Sequence, residues 1–317
     1  MKNIFLFGLI FLSTAIFAQS NYSIDSSYTI KSTYTKLIKK YPFIKVAEEA
    51  KNKNVAEIGD VVYNQNENRV LHLDAIFSIV KKRNPAVIMI HGGGWRSGNK
   101  SQMKTLAQKI ASKGYSCFAI EYRLSLEAKY PEGIYDVKNA IKFIKDNARK
   151  FNVDPDKIAV LGCSSGGQMA ALIGTTNGNS AFDDALNKSK SSSKVNAIID
   201  IDGVLAFKHP ESSEGEMAAF WLNGTSAENP QNWKNASALT HTGKKTPPIL
   251  FINSSIPRFH AGRDDMIAIL DQNHIYSEVH TINDSPHSFW FFNPWFDETV
   301  LYTTCFLDKI LKKMRSN

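Results

Sequence analysis

A serine at residue 164 lies between glycines in the run Gly162–Gly166, GCSSG. The run follows the apolar residues 157–161 and precedes the helix-like stretch 167–172. A serine at a tight strand-to-helix turn is exposed for nucleophilic attack, and the turn needs glycines because its crowded backbone leaves no room for Cβ atoms. The spacing therefore predicts that Ser164 is a nucleophile.

A histidine late in the chain is the candidate base for this serine. A serine hydroxyl is a poor nucleophile until a base removes its proton. His287 lies in the run Asp284–His287, DSPH, directly after a predicted strand at residues 277–282. A base after the last strand has the chain order typical of this serine motif. His91, by contrast, belongs to a glycine-rich run, and we expect it to shape that turn.

That glycine-rich run is suited to stabilising negative charge on a substrate oxygen. Residues 91–95 read HGGGW, so Gly93 and Gly94 can bring bare backbone N–H groups close to the oxygen on which charge develops. The N–H of Ser165, directly after the nucleophile, completes such a site. These three residues are the predicted oxyanion hole.

The carboxylate that would orient the histidine has several candidates. Asp202 follows a predicted strand at residues 195–201 and precedes a glycine that fits a turn. Strand alternation puts Asp200 on the same face, so one of these two aspartates could be structural. Asp264 and Asp265 begin a predicted helix, where the helix dipole also favours negative charge. We favour Asp202, with Asp265 and Asp264 as alternative acids.

Alternating strands and helices must hold these residues in place. The predicted strands are residues 55–63, 70–80, 86–90, 115–121, 158–161, 195–201, 248–253 and 277–282. The predicted helices are residues 103–112, 133–151, 263–273 and 296–313, with a further helix from the serine turn to Thr175. Alternation of this kind predicts an α/β fold with a mostly parallel sheet, right-handed crossovers and helices on both faces.

The N-terminal residues are typical of an export signal. Residues 1–18 carry a lysine at position 2, continue as an apolar run and end in alanine. The run is short for a bilayer span, which favours a cleaved signal peptide over a membrane anchor. We therefore expect a periplasmic or secreted protein with no membrane span after cleavage. Residues 19–54, with an amphipathic stretch at residues 34–50, are predicted to form an N-terminal arm.

Composition narrows the class of partner. The chain has 317 residues, 43% of them hydrophobic, and a net charge of +8. No basic run is interleaved with aromatic residues, so nucleic acid is not an expected partner, whereas an acidic polymer would be attracted by the diffuse lysines. The odd and sparse set of Cys117, Cys163 and Cys305 predicts free thiols, not a disulfide framework. The chemistry predicted above requires no metal and no organic cofactor.

Seven short motifs occur in an order that resembles a known family. They are His91–Trp95, Glu121–Ser125, Tyr130–Pro131, Asp136–Ala140, Asp154–Ile158, the serine turn and Pro286–Phe289. Together they resemble the α/β-hydrolase fold, in the branch that holds bacterial acetyl esterases, feruloyl-type esterases and related carbohydrate esterases. The resemblance implies a catalytic domain over residues 55–317, with residues 206–246 as a small cap insertion. It also implies ester hydrolysis through an acyl-enzyme.

One loop departs from that family pattern. The family usually carries its acid after the strand at residues 248–253, yet residues 254–257 contain no carboxylate. Arg258, His260 and Arg263 follow instead, and arginine binds carboxylates in a bidentate manner. This stretch resembles bacterial esterases associated with pectin breakdown, some of which remove methyl esters.

The expected substrate follows from these residues and from the resemblance. We expect Arg258, His260 and Arg263 to bind a uronate-containing polysaccharide or oligosaccharide, and Trp95 to stack on a sugar ring. The predicted function is hydrolysis of methyl or acetyl esters on plant polysaccharide, with pectin favoured. The alternatives are a general short-chain carboxylesterase or acetyl xylan esterase, and a non-catalytic carbohydrate-binding homologue.

Overall fold

The computed structural model describes residues 23–65, 69–80 and 83–312. The signal peptide predicted at residues 1–18 lies outside this range. Within the described ranges, no helix is long and apolar enough to cross a membrane.

A mixed β-sheet forms the centre of the molecule. The strands are β1 (Lys45–Val46), β2 (Val55–Gln65), β3 (Val70–Ser78), β4 (Asn84–Ile90), β5 (Ser116–Ile120), β6 (Val153–Cys163), β7 (Ala197–Ile201), β8 (Ile249–Asn253), β9 (Ser277–Thr281) and β10 (Phe292–Asn293). Eight of these described strands pair in the order β2-β3-β5-β4-β6-β7-β8-β9, while β1 pairs with β10. Strands β2, β3 and β5 pair antiparallel, and every pairing from β5 through β4 to β9 is parallel.

Helices cover both faces of this sheet. They are α1 (Ile30–Leu37), α2 (Lys104–Ser112), α3 (Glu132–Asp146), α4 (Ser165–Thr175), α5 (Glu216–Trp221), α6 (Pro230–Ala236), α7 (Arg263–Gln272) and α8 (Trp295–Leu307). Buried side chains of α3, α4 and α7 pack on one face, and those of α2 and α8 pack on the other. Strands β4, β7 and β8 are buried along their whole length, as expected for parallel strands covered on both sides.

Several element boundaries differ from the sequence predictions. Strand β6 begins at Val153, five residues before the predicted start. Helix α3 ends at Asp146, before its predicted end at Phe151. The reason at α3 is that Phe151 leaves the helical path and packs edge-on against Phe77 and Phe118 in the core. Helix α8 ends at Leu307, and a wider π-helical turn continues to residue 312.

The part of the predicted N-terminal arm that the structure describes, from residue 23 on, packs on the domain. Helix α1 begins earlier than the predicted amphipathic stretch because Thr29 caps it. The Thr29 side chain accepts a hydrogen bond from the Ser32 N–H at 2.9 Å, and Ser32 Oγ accepts one from the Thr29 N–H at 3.0 Å. Half-buried Ile30, Tyr34 and Leu37 of this helix contact the core under α2 and α8. The three cysteines are free, with Cys117 and Cys163 buried and Cys305 exposed, as predicted.

Candidate active site

Ser164 lies at a strained turn between β6 and α4. Its backbone has φ 56° and ψ −122°, a conformation that costs a non-glycine residue about 1–3 kcal/mol. The flanking glycines permit the turn because a Cβ atom on Gly162 would lie 1.9 Å from the carbonyl oxygen of Gly166. A Cβ atom on Gly166 would lie 2.3 Å from the carbonyl oxygen of Ile90. The N–H of Ser164 donates to the Ile201 carbonyl at 2.8 Å, which holds the turn against the next strand.

Three side chains from distant parts of the chain form one hydrogen-bonded triad. The distance from Ser164 Oγ to His287 Nε2 is 2.9 Å, and the distance from His287 Nδ1 to Asp202 Oδ2 is 2.8 Å. A carboxylate only accepts hydrogen bonds, so Nδ1 carries a proton and Nε2 is free to accept the serine proton. The structure thus brings together the predicted nucleophile, the predicted base and the favoured acid.

Asp202 is fixed on every side, immediately after β7. Its side chain is fully buried, its backbone has φ 53°, and its N–H donates to the Ile252 carbonyl at 3.0 Å. Its second oxygen, Oδ1, accepts a hydrogen bond from the N–H of Ser254 at 2.8 Å. Ser254 lies in the loop after β8, where the family that the sequence resembles usually carries the acid of its triad. In this chain that loop supplies a donor to a carboxylate one strand away.

The two alternative acids lie outside the triad. Asp265 Oδ2 pairs with His209 Nε2 at 3.0 Å, and Asp264 Oδ1 pairs with Arg263 Nε at 2.8 Å. Their side chains are 65% and 70% exposed, in the first turn of α7. Both side chains form ion pairs, and their place in the first turn of α7 is favourable for negative charge.

Two aromatic rings hold the His287 imidazole in its plane. Phe259 stacks on it with ring centroids 3.5 Å apart and an interplanar angle of 11°, while Trp290 contacts it edge-on at 5.1 Å. The sequence prediction missed Phe259, although this residue directly follows Arg258 in the loop that the sequence had singled out. Aromatic residues are common in cores, so no pattern in the sequence distinguished this ring.

The glycine loop faces the serine from the end of β4. Gly93 has φ 126° and Gly94 has φ 61°, and a Cβ atom on Gly93 would lie 2.1 Å from the Ser97 carbonyl oxygen. Gly93, Gly94 and Ser165 line the same cleft as Ser164. Ser165 is the first residue of α4, where backbone N–H groups have no partner within the helix. The predicted oxyanion-hole residues are therefore grouped around the nucleophile.

His91 supports this loop from inside the protein. Its ring is buried, stacks on Tyr122 with centroids 4.6 Å apart, and donates through Nδ1 to the Gly92 carbonyl at 2.8 Å. Burial lowers the pKa of His91 to about 4, so the ring stays neutral at physiological pH. This agrees with the expectation that His91 shapes the turn.

A cleft of about 620 Å³ opens over the triad. Its apolar part lies beside the glycine loop and is formed by Trp95, Val204, Phe207, Met217 and Ala218. A Cβ atom on Gly94 would lie 2.7 Å from Met217 Sδ, which places helix α5 directly over the predicted oxyanion hole. The cleft therefore has an apolar pocket next to the place where a carbonyl oxygen would bind.

Charged side chains line the remainder of the cleft. Lys36 and Arg258 are cationic, whereas Glu214 and Glu216 are anionic and belong to the same run as Met217. Ser27 and Tyr28 also line the cleft, so residues before β2 contribute to its wall. The sequence prediction missed this contribution of the N-terminal residues.

Trp95 lines the cleft, but one face of its indole ring is covered by another ring. Its indole is stacked on Trp221 with centroids 4.7 Å apart and an angle of 6°, and its Nε1 donates to Gln168 Oε1 at 2.9 Å. Trp95 is 8% exposed, and Trp221, Trp290 and Trp295 are also buried. Trp95 is thus a packed part of the cleft wall, and its stacking on a sugar ring stays a prediction.

Two of the predicted substrate-binding residues lie away from the cleft lining. Arg263 donates to Asn253 Oδ1 and to Asp264 Oδ1, both at 2.8 Å, and so braces its own loop. His260 is half-buried outside the cleft lining, and burial is the main cause that lowers its pKa. Of the predicted cluster, only Arg258 reaches the cleft, where its guanidinium lies 4.2 Å from the Phe259 ring centroid.

Asp200 is a buried carboxyl group two residues before Asp202. It is fully buried, and within the part of the chain that the structure describes neither of its side-chain oxygens has a hydrogen-bond partner. Gly167 and Gly203 make room for it, since a Cβ atom on either would lie 2.2 Å from Asp200 Oδ1. Burial, together with the nearby charge of Asp202, raises the pKa of Asp200 well above its usual range.

The sequence matches a known protein family. The family described as BD-FAE matches residues 74–273. Esterase LipC of Mycobacterium tuberculosis is 29% identical over 203 residues, which is 62% of this chain and 50% of LipC. The probable carboxylic ester hydrolase LipM of the same organism is 26% identical over 208 residues, covering 64% of this chain and 46% of LipM. The chain thus spans about half the length of the curated relatives it matches.

Solved structures confirm the predicted α/β-hydrolase fold. A truncated carbohydrate esterase from gut microbiota superposes with a TM-score of 0.69 at 24% identity, covering 82% of this chain and 98% of that one. The apo form of Thermogutta terrifontis esterase 2 superposes with a TM-score of 0.68 at 22% identity, covering 82% of this chain and 96% of that one. At this level of identity the likeness establishes the fold.

Proposed function

Because the chain belongs to the BD-FAE family, we propose that it is a serine esterase that hydrolyses short ester substituents on an acidic plant polysaccharide. The observation that carries this proposal is the triad, in which Ser164, His287 and Asp202 are joined at 2.9 and 2.8 Å beside three backbone donors. The names of the curated relatives, an esterase and a probable carboxylic ester hydrolase, point to the same reaction class.

The first half of the proposed reaction forms an acyl-enzyme. His287 Nε2 takes the proton of Ser164 Oγ as that oxygen attacks the ester carbonyl carbon. The buried Asp202 carboxylate holds the imidazole in the correct tautomer and stabilises its charged form. Negative charge on the carbonyl oxygen is stabilised by backbone N–H groups of Gly93, Gly94 and Ser165. His287 then gives the proton to the departing alcohol oxygen.

The second half releases the acid. Water takes the place of the alcohol, His287 Nε2 accepts a proton from it, and the resulting hydroxyl attacks the acyl carbon. Collapse of the tetrahedral intermediate returns a proton to Ser164 Oγ and frees the carboxylic acid. No metal and no organic cofactor takes part in these steps.

The proposed substrate is a methyl or acetyl ester on pectin. This proposal is supported by the apolar pocket of Trp95, Phe207 and Met217, which would accept a small acyl group. It is also supported by Arg258, a cation in the lining of the same cleft, since arginine binds carboxylates. A general short-chain carboxylesterase or acetyl xylan esterase is the second candidate, since the same apolar pocket would accept acetyl groups from neutral sugars. We further propose export to the periplasm or the medium, on the basis of the signal-like residues 1–18.

The test is to measure methanol and acetate released from native pectin by wild-type protein and by Ser164→Ala. We expect release of at least one product by wild type and none by the variant. Acetate from xylan without either product from pectin would replace the pectin proposal with the second candidate. A protein that releases nothing from these polymers or from p-nitrophenyl acetate would overturn the esterase proposal itself.

A further inference from the structure

The residues before helix α1 cross the cleft from one side of the triad to the other. Asp25 pairs with Arg96 Nε at 3.1 Å and forms a backbone bridge with Ser97, both directly after the glycine loop. Three residues later, the Tyr28 hydroxyl shares a hydrogen bond of 3.0 Å with Ser288 Oγ, next to His287. We name residues 25–36 the N-terminal strap.

The strap is held by specific contacts along its length. Gln102 Nε2 donates to the Tyr28 carbonyl at 3.0 Å, and the Tyr28 ring lies 6.2 Å from that of Phe291. Thr29 then caps helix α1, which packs on the core. Ser27, Tyr28 and Lys36 of this ordered strap line the cleft. All three lie outside residues 74–273, the part of the chain that the family match covers.

The position of His287 assigns the two sides of the cleft to the two parts of an ester. Because His287 Nε2 must deliver a proton to the departing oxygen, the alcohol part lies on the histidine side. Tyr28 bonds to the neighbour of His287, and Phe259 stacks on His287 with Arg258 over it, so these residues border the alcohol side. The acyl part then lies toward the apolar pocket at Met217, beside Gly94.

The charges divide in the same way. Within the described ranges, neither Lys36 nor Arg258 takes part in a salt bridge, in contrast to Arg263, which Asp264 neutralises. The anionic residues of the cleft, Glu214 and Glu216, belong to the run that carries Met217 over the glycine loop. An anionic ligand would therefore be repelled from the acyl side and attracted by Lys36 and Arg258.

From this arrangement, and resting on the proposed function, we infer that the N-terminal strap and Arg258 build a cationic subsite for a negatively charged alcohol part. The chemical class is a carboxylate-bearing sugar esterified with a short acyl group. Lys36 and Arg258 bind its carboxylates, the Tyr28 hydroxyl and Ser27 border its hydroxyl groups, and the acyl group enters the apolar pocket. Lys36 and Tyr28 are thereby specificity-determining residues that the family match does not include.

Binding to an inactive protein tests this subsite independently of hydrolysis. In the Ser164→Ala background, isothermal titration calorimetry compares trigalacturonate with the neutral xylotriose. We expect trigalacturonate to bind about tenfold or more tightly than xylotriose, and raising the salt to about 0.5 M to remove most of that preference because screening weakens charge pairs. Equal affinity for the two sugars, or no binding of either, would overturn the inference.

Variants that each remove one positive charge show which cations bind the sugar carboxylates. Lys36→Ala and Arg258→Ala are each expected to weaken trigalacturonate binding about 3- to 10-fold, with xylotriose unaffected. Lys39→Ala removes the same charge from an exposed residue outside the cleft and is expected to change binding less than about twofold. An equal loss in Lys36→Ala and Lys39→Ala would mean that net charge, not a built subsite, attracts the sugar.

Hydrolysis separates this inference from the proposed function. If wild-type protein cleaves p-nitrophenyl acetate but binds both sugars equally, the esterase proposal stands and the subsite inference is wrong. If it prefers trigalacturonate but cleaves no ester, the subsite inference stands and the esterase proposal is wrong.

Discussion

The triad and the strap lie on the same cleft, yet they are built in opposite ways. Ser164 and Asp202 sit at the ends of adjacent parallel strands, and the Asp202 carboxylate accepts hydrogen bonds on both of its oxygens. The strap residue Lys36 and the loop residue Arg258 are exposed, and within the described ranges neither is held by a salt bridge. The triad side chains are hydrogen-bonded to one another and to the backbone, whereas the cations of the second region have no salt-bridge partner among the described residues.

This contrast indicates that catalysis and substrate recognition depend on different parts of the protein. Bond breaking needs side chains held within a fraction of an ångström, which the buried ends of a sheet can provide. Recognition of a polymer needs charges that remain free to pair with a ligand. Changes at the sheet should therefore remove the reaction on every substrate, whereas changes at the strap should alter the choice of substrate.

The largest expected effect is that of Ser164→Ala. Loss of the nucleophile should lower kcat for p-nitrophenyl acetate by a factor on the order of 10⁴ to 10⁶. Among the described residues the removed hydroxyl bonds only to His287, so the midpoint of thermal unfolding should move little. Residual activity within about tenfold of wild type, in a folded variant, would remove Ser164 from the mechanism.

The next largest effect separates the three candidate acids. Asp202→Asn should lower kcat by about 10⁴-fold, because an amide can no longer hold the correct imidazole tautomer. Asp264→Asn and Asp265→Asn are the matched controls and should retain kcat within about twofold, because both side chains are mostly exposed and pair elsewhere. Steady-state kinetics with p-nitrophenyl acetate measure these effects. A large loss of kcat in Asp265→Asn with little loss in Asp202→Asn would make Asp265 the triad acid.

A smaller effect tests the link between the strap and the histidine. Tyr28→Phe removes the hydrogen bond to Ser288, a loss of about 0.5–1.5 kcal/mol that corresponds to up to about tenfold in rate. We expect kcat for p-nitrophenyl acetate to fall while KM changes little, because Tyr28 acts through the His287 loop. Tyr41→Phe, whose ring packs on Trp295 outside the cleft, is the control. A change in KM alone would show that Tyr28 contacts the substrate without positioning the histidine.

A separate effect, on stability and not on rate, concerns the sheet side of the comparison. The folded-state pKa of Asp200 is raised, so the native protein holds this proton more strongly than the unfolded chain does. The stability contributed by protonated Asp200 is therefore present at low pH and is lost as pH rises above the ordinary aspartate pKa of about 3.9, by up to about 1.4 kcal/mol per pH unit. In Asp200→Asn, whose side chain cannot ionise, the free energy of unfolding should depend less steeply on pH.

Chemical unfolding at about pH 5 and about pH 8 measures this difference. The gap in free energy of unfolding between Asp200→Asn and wild type should shift in favour of the variant at the higher pH. Parallel pH dependences would mean that Asp200 does not carry the proton in the folded protein.

Sequence alone predicted the sheet side of the site because its signals are local. The glycines around Ser164 and those at residues 92–94 mark turns that only such residues permit, and apolar runs mark the buried strands. Asp202 was favoured because an aspartate followed by glycine at a strand end fits a turn. The neighbouring Asp200, on the same face of β7, shows why sequence could not exclude a structural role for either aspartate.

The strap could not be predicted because its contacts are distant in the chain. Tyr28 and Ser288 are 260 residues apart, and no local pattern connects them. Arg258 and Arg263 looked equivalent in the sequence, and only their partners distinguish an available charge from a structural brace. In the same way, Phe259 became recognisable only once its ring was seen to lie on His287.

The central claim is that Ser164 becomes acylated. Wild-type protein mixed with excess p-nitrophenyl acetate and quenched in acid within milliseconds should carry one acetyl group, located on the peptide that contains Ser164 by mass spectrometry. Asp202→Asn should accumulate it more slowly, and Ser164→Ala should carry none at that peptide. Hydrolysis by wild type with no acetyl group on Ser164, or with the same modification in Ser164→Ala, would contradict the account.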